Sequence, residues 1–324
     1  MKLLSLLLLA TSLLLTFNVA QDSPELEEAA TLATSASKLL DDGKYDDAVS
    51  PAKRALQIRE KLLPANDVRV AASLSTLGKI YFLKKDYKAA REVFQRLLQN
   101  QEQHLGPDNV RIAETLDWLG ALYYQVEKPN DAEVAYKRAL ALREKNFGSN
   151  HERVARSLSA LAEFYRARRE WQSAVDYYRR ALTLYAQILD SKNVDFVRVS
   201  DGFFCTAYES NNPELAKEIK EIWKQAKGGG EPEAGTILNG RALSLPIPNY
   251  PAAARAHRLS GTIIVKVYID EAGNVTSAKD MCNGPQYLSE VSVAAAMKAR
   301  FSTTKLSGMP VKNYGVIFYN FVPR

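Results

Sequence analysis

The sequence predicts a multidomain chain, with an all-α solenoid of about five helical hairpins followed by a small α+β module. Three observations carry that expectation. A 42-residue period passes through Tyr45, Tyr87, Pro129, Trp171 and Pro213, and through the alanine column Ala48, Ala90, Ala132, Ala174 and Ala216. Within each period the apolar residues recur at helical spacing. Beyond residue 240 the spacing drops to two, the alternation of a strand. Self-similarity at this length marks repeats that bury their apolar faces on one another, and their usual product is a surface that holds another chain.

The N-terminus is read as a targeting segment. Lys2 precedes an apolar run from Leu3 to Phe17, and Asn18-Val19-Ala20 supplies a small-residue exit before the polar Gln21-Asp22-Ser23. That order describes a secretory signal peptide over residues 1–20. An uncleaved anchor is the alternative, because roughly 18 apolar residues reach the lower limit of a spanning helix. Cleavage is favoured, since no Lys or Arg cluster holds the far side.

Residues 24–226 carry the repeats. Leu74, Leu77 and Tyr81 lie on one helical stripe, and Tyr87, Ala90, Phe94 and Leu97 on a second, with Lys84-Lys85-Asp86 as the turn between them. The same columns run through Leu116, Leu119 and Tyr123, then Leu158, Leu161 and Tyr165. Gly78, Gly120 and Ala162 on the first helix, with the alanine column on the second, let paired helices approach closely. Breakers such as Pro64-Ala65-Asn66-Asp67, Gly106-Pro107-Asp108-Asn109 and Gly148-Ser149-Asn150-His151 separate the units.

Leu77-Gly78 with Tyr81, Leu119-Gly120 with Tyr123, and the Ala90 and Phe94 pair resemble the tetratricopeptide repeat. The period, with Leu140-Ala141-Leu142-Arg143-Glu144-Lys145, is similar to the long variant of kinesin light chains. The first and fifth units depart from the signature, as end caps do. The resemblance implies a concave face lined by the first helices: Ser75, Lys79 and Phe82, then Glu114, Asp117, Trp118 and Tyr124, then Arg156, Glu163 and Arg166. That mixed charged and aromatic lining suits a peptide or a protein edge. Trp118 and Tyr124 are the expected contacts, being off the core stripe.

Lys227 to Gly240, rich in glycine, is read as a flexible linker over residues 227–240 reaching at most about 50 Å. Within residues 241–324, Thr262 to Ile269 reads as a strand, Asp270 to Asn274 as a hairpin turn and Val275 to Met281 as its return. Ser289 to Ala299 is expected to be a helix and Asn313 to Phe321 a last strand. This module holds ten Lys or Arg against four Asp or Glu, so the basic character of the chain, net +6, resides there.

Pro248-Asn249-Tyr250-Pro251-Ala252-Ala253-Ala254-Arg255, Ser260-Gly261-Thr262, Ile269-Asp270-Glu271-Ala272-Gly273-Asn274-Val275 and Tyr319-Asn320-Phe321 together resemble the C-terminal domain of the TonB family. Members of that family grip a segment of an outer-membrane transporter by adding it as a strand, which is β-augmentation. The resemblance implies a periplasmic chain, or one anchored in the inner membrane and facing the periplasm. The expected contact residues are Tyr250, Pro251 and Arg255 with Tyr314, Val316 and Phe318. Both faces of the last strand carry apolar or aromatic side chains, so two readings stay open: an edge for a partner, or a strand covered within a C-domain dimer. Two departures weigh against full energy transduction. The apolar N-terminal stretch has no histidine, and no long Pro-rich rod is present.

Cys205 and Cys282 are the chain's two cysteines. Placed in different domains, they are expected to be separate buried thiols. No H-E-x-x-H, C-x-x-C or G-x-S-x-G occurs, and His104, His151 and His257 are scattered, so the chain is not expected to be an enzyme or to need a cofactor or metal. The expected function is an exported, non-catalytic adaptor: the repeats bind one protein or peptide, and the last module binds an outer-membrane transporter or another envelope protein. A membrane-anchored energy transducer is the alternative. Export leaves nucleic acid aside, and membrane association depends on retention of residues 1–20.

Overall fold

The computed structural model describes residues 23–189, 193–225, 242–303, 305–306 and 309–322. The signal segment expected at 1–20 and the linker expected at 227–240 lie outside the described residues. The described part begins with ten helices. They are α1 (Pro24–Asp41), α2 (Tyr45–Leu62), α3 (Val68–Leu83), α4 (Tyr87–Leu105), α5 (Ile112–Gln125), α6 (Pro129–Phe147), α7 (Glu152–Ala167), α8 (Trp171–Ile188), α9 (Val194–Glu209) and α10 (Pro213–Gln225). α1 with α2, α3 with α4, α7 with α8 and α9 with α10 pack as expected hairpins.

The period is written into the backbone at both ends of the first helices. Gly43, Lys85, Glu127, Arg169 and Asn211, each 42 residues from the next, all adopt positive φ, from 52° to 73°. At each one the residue that follows donates its N–H back to the last turn, as in Lys44 to Leu39, Asp86 to Tyr81, Lys128 to Tyr123, Glu170 to Tyr165 and Asn212 to Ala207. These are Schellman-type caps, which satisfy orphan carbonyls where the chain reverses. A second column, Asp67, Asn109, His151 and Asn193, precedes the first helices. Each side chain accepts the N–H two residues on, at 2.8 to 3.1 Å. His151 is thus a helix cap, its Nδ1 accepting where the other repeats present an Asp or Asn oxygen.

Alanine and glycine let the helices close up. Ala48, Ala90, Ala132 and Ala174 are fully buried. A Cβ on Gly78 would stand 2.6 Å from the Phe94 ring, so only glycine fits at that crossing. Successive hairpins are also tied by a repeated polar rung. Arg59 donates to Ser73 Oγ (2.7 Å), Thr115 to Gln101 Oε1 (2.8 Å) and Arg143 to Ser157 Oγ (2.5 Å), again at steps of 42. Buried polar groups need such partners.

The chain divides into two compact units, residues up to Ala135 and residues from Tyr136 on, so the division falls within α6. In the first, Leu74, Leu77, Ile80, Phe94 and Leu97 form the core. The second holds α7 to α10 and the C-terminal elements. These are β1 (Ala242–Ser244), α11 (Ala252–Ala256), β2 (Gly261–Ile269), β3 (Val275–Asp280), α12 (Gln286–Ala296), β4 (Arg300–Phe301), β5 (Lys305–Leu306), β6 (Met309–Pro310) and β7 (Asn313–Phe321).

β2 is the centre of a three-stranded antiparallel sheet in the order β3-β2-β7, and β1 pairs separately with β4. Odd-numbered side chains of β2 and β7 (Ile263, Val265, Val267, Ile269, Ile317, Tyr319 and Phe321) face a core shared with Leu288, Ala295 and Ala296 of α12. Asp270 organises the β2–β3 turn. Its carboxylate accepts from the Ala272 and Asn274 N–H groups and from Asn274 Nδ2, and these bonds hold its pKa below the ordinary carboxylate value. Gly273 is required there: its φ is 88°, and a Cβ would stand 2.0 Å from the Phe301 carbonyl oxygen. α12 begins three residues before the expected Ser289 and ends at Ala296. The chain must then turn so that Arg300 and Phe301 can pair with β1, and Phe301 N–H can reach Gly273 (2.9 Å).

Candidate functional site

β7 is the outer strand of its sheet, and the register fixes which of its backbone groups face outward. Met281 N–H donates to the Ile264 carbonyl (2.8 Å), so Ile264 directs its backbone groups toward β3. Backbone direction alternates along an antiparallel strand. Ile263, Val265, Val267 and Ile269 therefore face β7, where they oppose Tyr319, Ile317, Gly315 and Asn313. Tyr314, Val316, Phe318 and Asn320 are left to present N–H and C=O at the open edge, and among the described residues no strand pairs with them. A groove of about 580 Å³ runs beside this edge, between Phe318, Asn320 and Val322 on one side and Leu245, Ile247 and Tyr250 on the other. Ile247 is 90% exposed.

Of the C-terminal residues singled out in the sequence, the groove brings together Tyr250, Arg255 and Phe318. Tyr250 donates its hydroxyl to the Leu259 carbonyl and packs on Phe321 at 6.0 Å, while the Arg255 guanidinium lies 5.8 Å from the Tyr250 ring centre. Pro251 is the N-cap of α11. Tyr314 and Val316 are half-buried on the even face of the sheet. That burial pushes the Tyr314 phenol up to about 12.

The even face meets the last helical hairpin. Lys266, on β2, is 4% exposed; its ammonium reaches Asp201 Oδ1 of α9 at 2.7 Å and lies 4.9 Å from the Tyr314 ring centre. The Tyr208 ring of α9 packs against Phe318 with centroids 5.6 Å apart. Cys205 of α9 and Cys282, just past β3, form a disulfide with Cα atoms 5.6 Å apart. This corrects the expectation of separate thiols, which rested on placing the two cysteines in different domains. Docking of the sheet on α9 brings them within bonding reach.

The first-helix residues fall into two groups. In the first unit Lys79 donates to Glu114 Oε1 (2.7 Å) and lies over Trp118 (5.6 Å), whose ring stacks on Phe94 and meets Phe82 edge-on. Trp118 is therefore half-buried against the Phe82 and Phe94 rings instead of standing free. Tyr124 remains exposed, Glu114 is exposed, and Ser75 and Asp117 are half-buried. In the second unit Arg156 bonds Glu152 (2.7 Å), whereas Arg166 is largely buried between Glu163 (3.3 Å) and Glu209 (3.1 Å). The same burial raises the pKa of the Glu209 carboxyl.

The residues that sequence reasoning missed are Asp201 of α9 with its partner Lys266, and Tyr208 of α9, which packs on Phe318. One signal was available: Lys266 is the single charge inside the apolar run Thr262 to Ile269. Among the described residues, no three His, Cys, Asp or Glu side chains are grouped to hold a metal, and no helix is long and apolar enough to cross a membrane.

The tetratricopeptide repeat model matches residues 27–103 and 111–187, and the model of the Gram-negative bacterial TonB protein C-terminal domain matches residues 246–323. Among solved structures, a Podosopora anserina protein named for kinesin light chain, built of nearly identical TPR-like repeats, is 19% identical over 62% of this chain and 97% of its own, with a TM-score of 0.52. BtubC (BKLC) from P. vanneervenii is 19% identical over 70% of this chain and 95% of its own, with a TM-score of 0.52. At that identity the likeness concerns the fold. No curated protein matches.

Proposed function

We propose that this chain, which joins tetratricopeptide repeats to a TonB-type C-terminal domain, is an exported, non-catalytic adaptor of the Gram-negative envelope that holds an extended segment of an envelope protein by strand addition to β7. The observation that carries the reading is the outward set of backbone groups at Tyr314, Val316, Phe318 and Asn320 beside an apolar groove. Backbone donors and acceptors supply the grip in strand addition, and flanking side chains supply selection. Tyr314, Val316 and Phe318 are the contact residues, with Tyr250, Pro251 and Arg255 along the groove. An outer-membrane transporter is the proposed partner class. The first helices, through Ser75, Lys79, Phe82, Glu114, Asp117, Trp118 and Tyr124 and through Arg156, Glu163 and Arg166, are proposed to hold a second protein. The Cys205–Cys282 disulfide accords with an oxidising compartment and hence with export.

The test uses the full-length oxidised chain and a random octapeptide library displayed on phage. Selection should return extended peptides, and binding one should slow amide exchange at Val316 and Phe318. Selected peptides that leave both amides exchanging as in the free chain would remove strand addition. Fractionation with N-terminal sequencing checks the address: a mature chain starting near Gln21 in the soluble periplasm is expected. A chain retaining residues 1–20 in the inner membrane would favour the energy transducer instead.

A further inference from the structure

We propose that the peptide edge of β7 is a composite site, in which Tyr208 of the last helical hairpin selects the side chains of the same peptide whose backbone β7 holds. The proposal rests on the strand-addition reading above. A residue added opposite Phe318 places its side chain on the same face of the sheet, with Cβ atoms about 5 Å apart. That face is the one turned toward α9, where the Tyr208 ring already packs on Phe318 at 5.6 Å. Tyr208 is 41% exposed and Phe318 45%, so each ring keeps a large uncovered surface beside the unpaired backbone groups. A bulky apolar or aromatic side chain in that position completes a cluster of three groups. A charged one would be desolvated against two rings without a partner.

Tyr208 serves this purpose only if α9 is fixed relative to the strand, and two links fix it. The Cys205–Cys282 disulfide ties α9 to the end of β3, and the Asp201–Lys266 ion pair, 2.7 Å long and nearly buried, ties it to β2. The row Met281, Ile264 and Phe318 crosses all three strands in register, so the disulfide end of α9 and Tyr208 lie along one row of the sheet. A wall set in advance loses little freedom when the peptide arrives, which is the gain from preorganisation. The repeat region and the strand-bearing module thus read one ligand together at this edge.

The experiment selects the octapeptide library on the oxidised full-length chain, on Tyr208→Ala, on Tyr208→Phe and on Val316→Pro. The wild type and Tyr208→Phe should return a consensus with an aromatic or large aliphatic residue at one fixed position. Tyr208→Ala should lose that preference and bind the wild-type peptide roughly three- to tenfold more weakly, the range of one aromatic contact. Breaking the disulfide by the double replacement of Cys205 and Cys282 with Ser should weaken the same peptide in the same direction. If Tyr208→Ala returns the wild-type consensus at unchanged affinity while Val316→Pro binds the wild-type peptide more weakly, the composite site is wrong and strand addition stands. If Val316→Pro also keeps the consensus at unchanged affinity, strand addition itself falls. An oxidised chain that yields no peptides and sediments as a dimer through β7 overturns the proposal in favour of a second copy.

Discussion

Asp201 and Lys266, 65 residues apart in sequence, form an ion pair of 2.7 Å that joins a helix of the last repeat to the central strand of the C-terminal sheet. Their side chains are 15% and 5% exposed. Removing one member of a buried pair leaves the other charge without compensation, at a cost of about 3–5 kcal/mol. Asp201→Ala should therefore destabilise the second unit strongly in denaturant unfolding. The double variant Asp201→Leu with Lys266→Met should recover most of the loss, since a well-packed apolar pair is often as stable as the ions it replaces. Equal stability of the single and double variants would contradict this account.

The disulfide makes a separate prediction. Cys205 and Cys282 close a span of 77 residues, and cross-linking a span of that size typically stabilises by about 2–4 kcal/mol through the unfolded chain. Cys282→Ser or reduction should lower the melting temperature of the second unit and leave a fragment ending before Ala135 unaffected. The amine of Lys266 should also become more reactive toward acylating reagents, because undocking exposes it.

The regular parts of this structure were legible in the sequence because each is a local consequence of a repeated residue. The alanine column marks the close helix contacts, and the alternation Ile263, Val265, Val267 against Ile264, Lys266, Tyr268 marks a strand with two different faces. The joint between α9 and the sheet was not legible. Asp201, Cys205 and Tyr208 sit in the fifth unit, where departures from the repeat pattern read as an end cap. Their partners, 65 or more residues away, carry no matching periodicity. The outward parity of Val316 and Phe318 was equally hidden, because it depends on how β2 registers with β3.

The turn column offers a prediction that rests on backbone conformation. Lys85, Glu127 and Arg169 hold φ of 66°, 58° and 60°, a left-handed conformation that costs a residue with a Cβ about 1–2 kcal/mol. Gly43 meets the same geometry without that cost. Replacing Lys85 or Arg169 by Gly should stabilise the repeats by a few tenths to about 1 kcal/mol, after the extra freedom of glycine in the unfolded chain is set against the relieved strain. A fall in melting temperature for both variants would rule this out.

Alkaline pH should open the docked face. Burial raises the Tyr314 phenol to about 12 from its ordinary value of 10.0. A group whose pKa is raised on folding contributes stability that is complete below its unfolded value and is lost as the pH climbs through the folded one. The contribution of Tyr314 should thus fade between about pH 10 and 12. Tyr314→Phe should reduce the loss of stability in that interval, read from tyrosinate absorbance and circular dichroism. The buried Tyr185, raised to about 12 in the same way, will contribute a similar background in both proteins.

The parity of β7 yields a contrast between neighbouring residues. Ile317 opposes Val265 and directs its N–H into the β2 ladder, whereas Val316 and Phe318 direct theirs to the open edge. Proline is tolerated in a strand only where the lost N–H faces away from the sheet. Ile317→Pro should therefore break a ladder bond, displace a side chain that is 4% exposed, and unfold the C-terminal sheet. Val316→Pro and Phe318→Pro should leave the sheet folded and each cost an added strand one bond, about 1–3 kcal/mol of binding if the partner carbonyl is left buried without a donor. Amide exchange across β2 separates these outcomes, since protection at Val265 and Val267 should survive the even-numbered prolines and vanish with the odd one. If instead protection at Val265 survives Ile317→Pro and vanishes with the even-numbered prolines, the alternation assigned to β7 is wrong, and the open edge carries the backbone groups of Gly315, Ile317 and Tyr319.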